Sequence, residues 1–454
     1  MYSKTTYLLF ILTGLFLTSC EKLATDPKAS SDADVQTDSG INYWDAGNEL
    51  DDFGYGVIQT TDGGYVVVGS STSSSTQQDI YVVKFDNALV QDSNTPYTFV
   101  TYDVGGDADA SNDIVNTFDN FANDIQQTPD GGFVLVGSTF NGTDYDAVII
   151  KLNADFSQAW VTSLVQTTSG LNEWGNSVTQ TASGNYLVCG TIYNGTTNKT
   201  ELSVWEVSGV DGSNDLHTSI ANQEGTPDLN ADGPLYTYSN TGNDEGNYIA
   251  YTSSDNGFII VGTSAAGVIT VKLTTGATPS ADLGYIIDTN YGGGNGIYEF
   301  GTALDQGVFV QQLEDGSYIV AGSSQAGANQ SDFSMTAVNS AGTAATESNF
   351  GTFYSDVASS IKQTTDGGYI VVGTTYDDTQ SDIKVLKVSS LGNSEWSYTY
   401  GGTNYDYANS VSQTSDGGYI ITGSTMSYGT HSEILLLKLD ANGLPENPTG
   451  SLNN

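Results

Sequence analysis

The 454-residue chain predicts an all-β protein, a seven-bladed β-propeller of four-stranded antiparallel blades. Three observations carry that prediction. An aromatic residue followed four positions later by glycine recurs at Tyr65/Gly69, Phe133/Gly137, Tyr186/Gly190, Phe258/Gly262, Tyr318/Gly322, Tyr369/Gly373 and Tyr419/Gly423. A period of roughly 50 residues between such units means an array or a closed ring. The two chain ends are also complementary: one repeat lacks a strand, and one strand lacks a repeat.

Each repeat reads as four strands. Val411-Ser-Gln-Thr and Tyr419-Ile-Ile-Thr-Gly423 flank Ser415-Asp-Gly-Gly418, and Asp-Gly between β-prone runs is a strong hairpin signal because glycine reaches the positive φ of a tight turn. Ser183-Gly-Asn, Asp255-Asn-Gly and Asp315-Gly-Ser vary the turn but keep its logic. A third apolar run follows, such as Ile434–Leu439 or Ile80–Phe85, and then a fourth, clearest at Glu395-Trp-Ser-Tyr-Thr-Tyr400. Four antiparallel strands per repeat make a propeller blade.

The last repeat ends near Glu446 without a fourth strand, while an orphan run, Ile41–Trp44, precedes the first repeat. The N-terminal run is therefore expected to complete the last blade, closing the ring and removing open sheet edges. The alternative is an open solenoid, which would need capping units that the sequence does not supply.

With these residues identified, the repeat resembles the Gln-Thr-x-Asp-Gly-Gly-Tyr-Ile-Val-x-Gly units of secreted and surface-anchored bacterial β-propeller lipoproteins. The likeness spans roughly residues 41–446 and is degraded in the middle repeats, where Thr252 replaces the usual glutamine. That family has no single activity, so the resemblance implies fold and not function.

Residues 1–19 read as a lipoprotein signal peptide: Lys4 precedes an apolar core from Tyr7 to Leu17 that is short for a bilayer span. The core ends in Leu17-Thr-Ser-Cys20, which resembles a bacterial lipobox and implies lipid attachment at Cys20; an ordinary signal peptide with a chance cysteine is the alternative. Two acyl chains or more give stable anchoring. Residues 20–40 read as the lipidated cysteine and a flexible tether reaching about 25 Å, residues 41–446 as the propeller, and residues 447–454 as a disordered tail. The implied address is the bacterial cell envelope, as an outer-membrane or surface lipoprotein.

Only one other cysteine exists, Cys189, so no disulfide framework is available. It stands where sibling repeats carry Val68, Val136 or Val372, which points to buried packing. The charge balance is lopsided: 53 acidic residues oppose 11 basic ones, all lysine, for a net charge of −42. That excludes nucleic acid as a partner and favours cations, basic partners or a salt-rich habitat.

Candidate binding positions recur with the repeat. Thirteen residues before each signature aromatic lies Asp52, Asn120, Glu173, Glu245, Asp305, Asp356 or Asp406. These are expected in the loops entering the first strands, on one rim, where a ring of carboxylates would bind Ca²⁺ or a basic partner. The competing reading is that each caps its own loop through backbone N–H groups. Tyr145, Tyr193, Tyr376 and Tyr428 fall in or beside the loops between second and third strands, and aromatic faces beside amides suit a glycan.

Two acidic insertions are candidate Ca²⁺ sites: Asp107, Asp109 and Asp113 between the first two blades, and Asp228, Asn230 and Asp232 in the third repeat. The second resembles the opening of a calcium loop, with alternating oxygens and a turn glycine. It departs from the pattern at Tyr236 and Ser239. A recurring third-strand lysine (Lys84, Lys151, Lys387, Lys438) is expected either to pair with an acidic residue of a neighbouring strand or blade or to lie across the blade surface with its ammonium in water.

No catalytic residues are nominated. His217 and His431 show no metal-ligand spacing, no Gly-x-Ser-x-Gly elbow exists, and no arginine is present to clamp a substrate carboxylate. The leading expectation is an envelope lipoprotein that acts as a binding or scaffolding propeller for a protein or glycan, with Ca²⁺ as a candidate aid. The rivals are a carbohydrate-active enzyme using paired carboxylates among Asp305, Asp356 and Asp406, and a structural envelope component without a small ligand.

Overall fold

The computed structural model describes residues 35–36, 41–44, 50–73, 77–90, 100–102, 119–164, 171–195, 197–213, 236–238, 242–275, 285–302, 305–327, 330–352, 354–377, 379–428 and 431–446. The fold begins from the bulge in each first strand. These strands span Asp52–Gln59, Asn120–Gln127, Asn172–Gln180, Glu245–Thr252, Gln306–Gln312, Ser355–Gln363 and Asp406–Gln413. Each pairs antiparallel with its second strand, and in all seven the register slips by one residue at the same place, for example between Ala122 and Asp124.

That slip explains the signature glycine. A Cβ on Gly69, Gly137, Gly190, Gly262, Gly322, Gly373 or Gly423 would lie between 1.7 and 2.0 Å from a carbonyl oxygen of the first strand. Only glycine lets the bulged backbone approach this closely. The signature aromatics four residues earlier are all buried.

Seven antiparallel sheets result, and the first strand of each touches the first strands of its two neighbours, including the seventh against the first. This is the seven-bladed propeller that the repeats predicted, with the first strands lining a central channel. Closure also follows the prediction: Ile41–Trp44 pairs antiparallel with Glu433–Leu439 and supplies the outer strand of the last blade.

The core lies between blades. Seven apolar clusters occupy the seven seams; in the first blade Val66 and Val68 face the second blade, whereas Val67 faces the seventh. Alternate residues of one strand thus serve two different seams, as period-two side-chain geometry requires. Burying each large aliphatic side chain contributes about 1.5–3 kcal/mol. Cys189 is a fully buried member of one cluster, and burial pushes its thiol pKa up.

Two departures from regularity appear. The outer strand of the fourth blade is split: Tyr285–Ile287 and Ile297–Phe300 both pair with Gly267–Thr275. Between them the chain loops out through Gly292, Gly293, Gly294 and Gly296, all at positive φ, and plants Tyr291 in the seam with the fifth blade. Separately, Val35–Gln36, inside the stretch read as a tether, pairs in parallel with the outer strand of the sixth blade, Ser394–Tyr400.

The third-strand lysines find their partners in the hairpin turn of their own blade. Lys84 pairs with Asp62, Lys151 with Asp130 at 3.0 Å, Lys272 with Asp255 at 2.5 Å, Lys387 with Asp366 at 3.0 Å and Lys438 with Asp416 at 3.0 Å. In the third blade, Glu206 replaces the lysine and accepts a hydrogen bond from Asn185 of the turn at 3.0 Å. The carboxylate and its donor have exchanged strands, and the link survives.

Candidate functional site

The nominated rim residues open the first strands instead of lying in loops: Asp52, Asn120, Glu245 and Asp406 are first residues, Glu173 and Asp356 second, and Asp305 immediately precedes its strand. Asp52, Asn120, Glu173, Asp305, Asp356 and Asp406 are buried, and Glu245 is half-buried. Where their bonds are resolved, they serve the blade itself. Asp406 accepts the Gly402 N–H at 2.8 Å, the Ser427 hydroxyl at 2.8 Å and the Thr425 hydroxyl. Asp305 accepts the N–H groups of Thr302 at 2.6 Å and Gln325 at 2.8 Å, and Asn120 accepts the Thr139 hydroxyl. Asp356 accepts the Thr352 N–H at 3.0 Å and the Lys384 ammonium at 2.8 Å. Asp305, Asp356 and Asp406 thus each accept a backbone N–H of the loop before their strand, as loop caps do.

The four nominated tyrosines are half-buried. Tyr145 packs against Phe140, Phe121 and Trp174, Tyr428 stacks on Tyr43 at 5.9 Å, and the Tyr193 hydroxyl donates to Asn198. Burial, with Tyr407 nearby, pushes the Tyr376 phenol up to about 12. Cys20 and the acidic insertion residues Asp107, Asp109, Asp113, Asp228, Asn230 and Asp232 lie outside the described residues. Among the described residues, no group of three or more His, Cys, Asp or Glu side chains is arranged to hold a metal.

A glycosidase demands paired carboxylates. Among the described residues burial, helped by a neighbouring carboxylate, raises Asp382 beside Asp406, Asp332 beside Asp356 and Asp146 beside Asp144. Asp382 and Asp406 meet across the seam between the last two blades; burial and the nearby Asp406 and Asp377 carboxylates raise Asp382 to about 6 despite a hydrogen bond from Gln380. Both side chains are buried against Gly401, so a substrate has no route between them.

The channel offers a different site. Its walls are stitched at three levels. At the bulge, Asn123, Asn176, Asn247 and Asn409 each donate to a glycine carbonyl of the next blade at 2.7–2.8 Å. One residue further, Asp124, Ser360 and Ser410 accept the backbone N–H of Val178, Val411 and Val57 in the next blade. At the strand ends, Gln127, Gln312, Gln413 and Gln59 accept an N–H from the hairpin turn of the preceding blade at 2.7–3.2 Å. The motif glutamine is thus a latch between blades.

Between these latches, in the half of the channel nearer the hairpin turns, lies a cavity of about 350 Å³. First strands of the second to sixth blades line it, through Gln126, Thr179, Tyr248, Tyr251, Phe309, Gln311, Lys362 and Gln363 among others. Lys362 reaches across from the sixth blade: its Nζ lies 3.3 Å from the Tyr248 hydroxyl, 5.0 Å from the Tyr248 ring centre and 5.9 Å from that of Phe309. Burial alone would lower its pKa, but the Tyr248 oxygen and the Asp124 carboxylate raise it above the ordinary lysine value, so the ammonium stays charged.

None of these residues was nominated from sequence. A signal existed: the residue before the motif glutamine is Ile58, Gln126, Thr179, Gln311 or Ser412 in sibling repeats, and lysine only at position 362. Comparing the repeats column by column would have isolated it.

No protein-family model matches the chain, and no curated protein matches its sequence. Solved structures resemble it. Sqt1 of Chaetomium thermophilum, bound to the N-terminus of ribosomal protein L10, aligns at 11% identity over 89% of this chain and 88% of that one, with a TM-score of 0.44. The periplasmic gluconolactonase PpgL of Pseudomonas aeruginosa aligns at 10% identity over 78% of this chain and 87% of that one, with a TM-score of 0.45. A Bacteroides caccae protein of unknown function aligns at 9% identity over 73% and 93% of the two chains, with a TM-score of 0.37. Likeness at this level carries no argument about ligand or reaction.

Proposed function

We propose that the chain is a glycan-binding propeller of a bacterial cell envelope, anchored through Cys20, that takes a sugar unit into the hairpin-side half of its central channel. The observation that carries this reading is the cavity of about 350 Å³, in which amide groups of Gln126, Gln311 and Gln363 stand beside Tyr248 and Tyr251. A pocket of this size that mixes polar groups with aromatic and aliphatic ones suits a small ligand. Sugars present C–H faces for aromatic rings and hydroxyls for amides. Tyr251 is 38% exposed and stands at the strand end, where an entering sugar would meet it.

The binding reading is preferred to hydrolysis because no described carboxylate lines the cavity, and the acidic pair Asp382 and Asp406 is sealed in a seam. A thermal-shift screen of the whole chain against mono- and oligosaccharides tests the proposal. At least one sugar should raise the melting temperature, and Tyr251→Ala and Gln126→Ala should abolish that rise while leaving the unliganded melt near wild type. A screen in which no sugar shifts the melt would remove the proposal. Anchoring is tested separately: a fatty-acid label should enter the expressed chain and be lost in Cys20→Ala.

A further inference from the structure

The cavity contains a cation, Lys362, that rests on the Tyr248 and Phe309 rings and has no ion-pair partner among the described residues. Lys84, Lys151, Lys272, Lys384, Lys387 and Lys438 are each committed to a carboxylate. Lys362 makes one hydrogen bond, to the Tyr248 hydroxyl at 3.3 Å, and no described carboxylate is in ion-pair contact with it. An ammonium has three donors, so two remain to face the cavity. Lys362 is half-buried, and an ammonium drawn partly out of water gains from a counter-ion.

Two alternatives for the missing partner are closed. The Asp124 carboxylate acts on Lys362 electrostatically from the second blade, but its oxygens already accept from the Ile125 N–H at 2.9 Å, the Ser177 hydroxyl at 3.1 Å and the Val178 N–H at 3.1 Å. They are turned into the seam between the second and third blades. Nor does the blade itself need a cation here, since the neutral Ile58, Thr179 and Ser412 fill the same position elsewhere. The Gln363 carbonyl oxygen accepts from the Gln311 amide at 2.6 Å, which leaves the Gln363 NH₂ and the Gln126 amide for the ligand's neighbouring oxygens.

We infer that the channel ligand carries a carboxylate, which the Lys362 ammonium binds in a charge-assisted pair, and that the sugar of the proposed function, on which this inference rests, is therefore acidic, a hexuronic acid. The long-range field opposes an anion, because the chain carries a net charge of −42. Salt screens that field far more than it screens a contact inside the channel. Association of the acidic sugar should therefore speed up as salt is raised from a low starting concentration, the reverse of ordinary electrostatic steering.

The test is calorimetric titration of the whole chain with D-glucuronate, D-glucose and succinate, on wild type, Lys362→Met and Lys362→Arg. The expected result is glucuronate binding, glucose weaker by more than about tenfold, a similar loss in Lys362→Met and partial recovery in Lys362→Arg. Equal affinity for glucuronate and glucose, unchanged in Lys362→Met, would overturn the inference and leave the glycan reading standing. Succinate binding as tightly as glucuronate, lost in Lys362→Met, would support the carboxylate contact and remove the sugar. Binding of none of the three overturns the inference, whereas the glycan reading falls only if the wider sugar screen also shows no shift. Because Lys362→Met is open to a folding defect, the lysine ε-methylene resonances of wild type supply a second readout. One of them should shift on adding glucuronate and none on adding glucose; a spectrum that glucuronate leaves unchanged overturns the inference without any variant.

Discussion

Gln59 of the first blade accepts a hydrogen bond from the backbone N–H of Ser415 in the seventh at 2.7 Å, joining two turns 356 residues apart in sequence. The same side chain donates to the Gly63 carbonyl of its own turn at 3.2 Å. One glutamine thereby holds its own hairpin in shape and ties the ring shut. Gln59→Leu should lower stability by about 1 kcal/mol, the net worth of a partly solvated hydrogen bond. Removing residues 1–44 takes away the outer strand of the last blade and exposes the Glu433–Leu439 edge. That variant should melt far lower and aggregate on a sizing column, and equal melts for the two variants would contradict the closure argument.

Two glycines of one hairpin should respond differently to alanine. Gly131 has φ of 83°, and a Cβ there would meet only the Ala154 Cβ at an unstrained 3.8 Å, so Gly131→Ala should cost about 1–2 kcal/mol, the strain of a left-handed residue. Gly137 has no unusual φ, but its Cβ would sit 1.7 Å from the Phe121 carbonyl oxygen. Gly137→Ala must push two strands apart and should cost about 3 kcal/mol or more. Urea denaturation of the two variants gives the order directly.

Lys272 and Asp255 form the most enclosed of the turn pairs, with side-chain exposures of 1% and 30%. Asp255→Asn leaves a buried ammonium without its counter-charge and should destabilise by about 3–5 kcal/mol. Lys272→Met leaves a carboxylate that water can still reach and should cost less. The double variant should recover much of the Asp255→Asn loss, and additive losses in denaturant melts would show that the pair is not coupled.

Stability should peak in mild acid. Asp62, Asp130, Asp366 and Asp416 are held at about 2: burial opposes this at all four, and the turn threonine, a glycine N–H and the lysine prevail. A depressed carboxylate stabilises above its unfolded pKa of about 4 and loses that contribution as pH falls toward 2. Asp382, raised to about 6 mainly by burial, has the opposite sign. It favours the folded state below about 4, and that contribution is lost as pH rises through about 6. Melting temperature should therefore rise from pH 7 to about 5 and fall below 4. Asp382→Asn should flatten the limb between pH 7 and 5 and leave the acid limb in place.

Cys189 should remain unreactive toward thiol reagents until the chain unfolds, since it is fully buried and its pKa is raised. Cys189→Val, the residue found at siblings 68, 136 and 372, should change stability by less than about 1.5 kcal/mol. Rapid modification in native buffer would contradict the packing assignment.

The sequence by itself determined the blade, the blade number and the closing strand. Each depends on local, repeated chemistry: Asp-Gly turns, alternating apolar residues and a glycine at fixed distance from an aromatic. Repetition made the pattern legible even where Thr252 or Glu206 broke it. It also misdirected the search for a site, because recurrence drew attention to Asp52, Asp356, Asp406 and their equivalents, which recur because every blade needs its first strand capped. Only the tertiary structure decided what meets in the channel. Lys362, Tyr248 and Phe309 come from three different blades, and nothing in their sequence spacing encodes that ring closure sets them around one space. Local spacing specifies strands and turns, whereas a channel site is made by the rotation from blade to blade, which no single repeat contains.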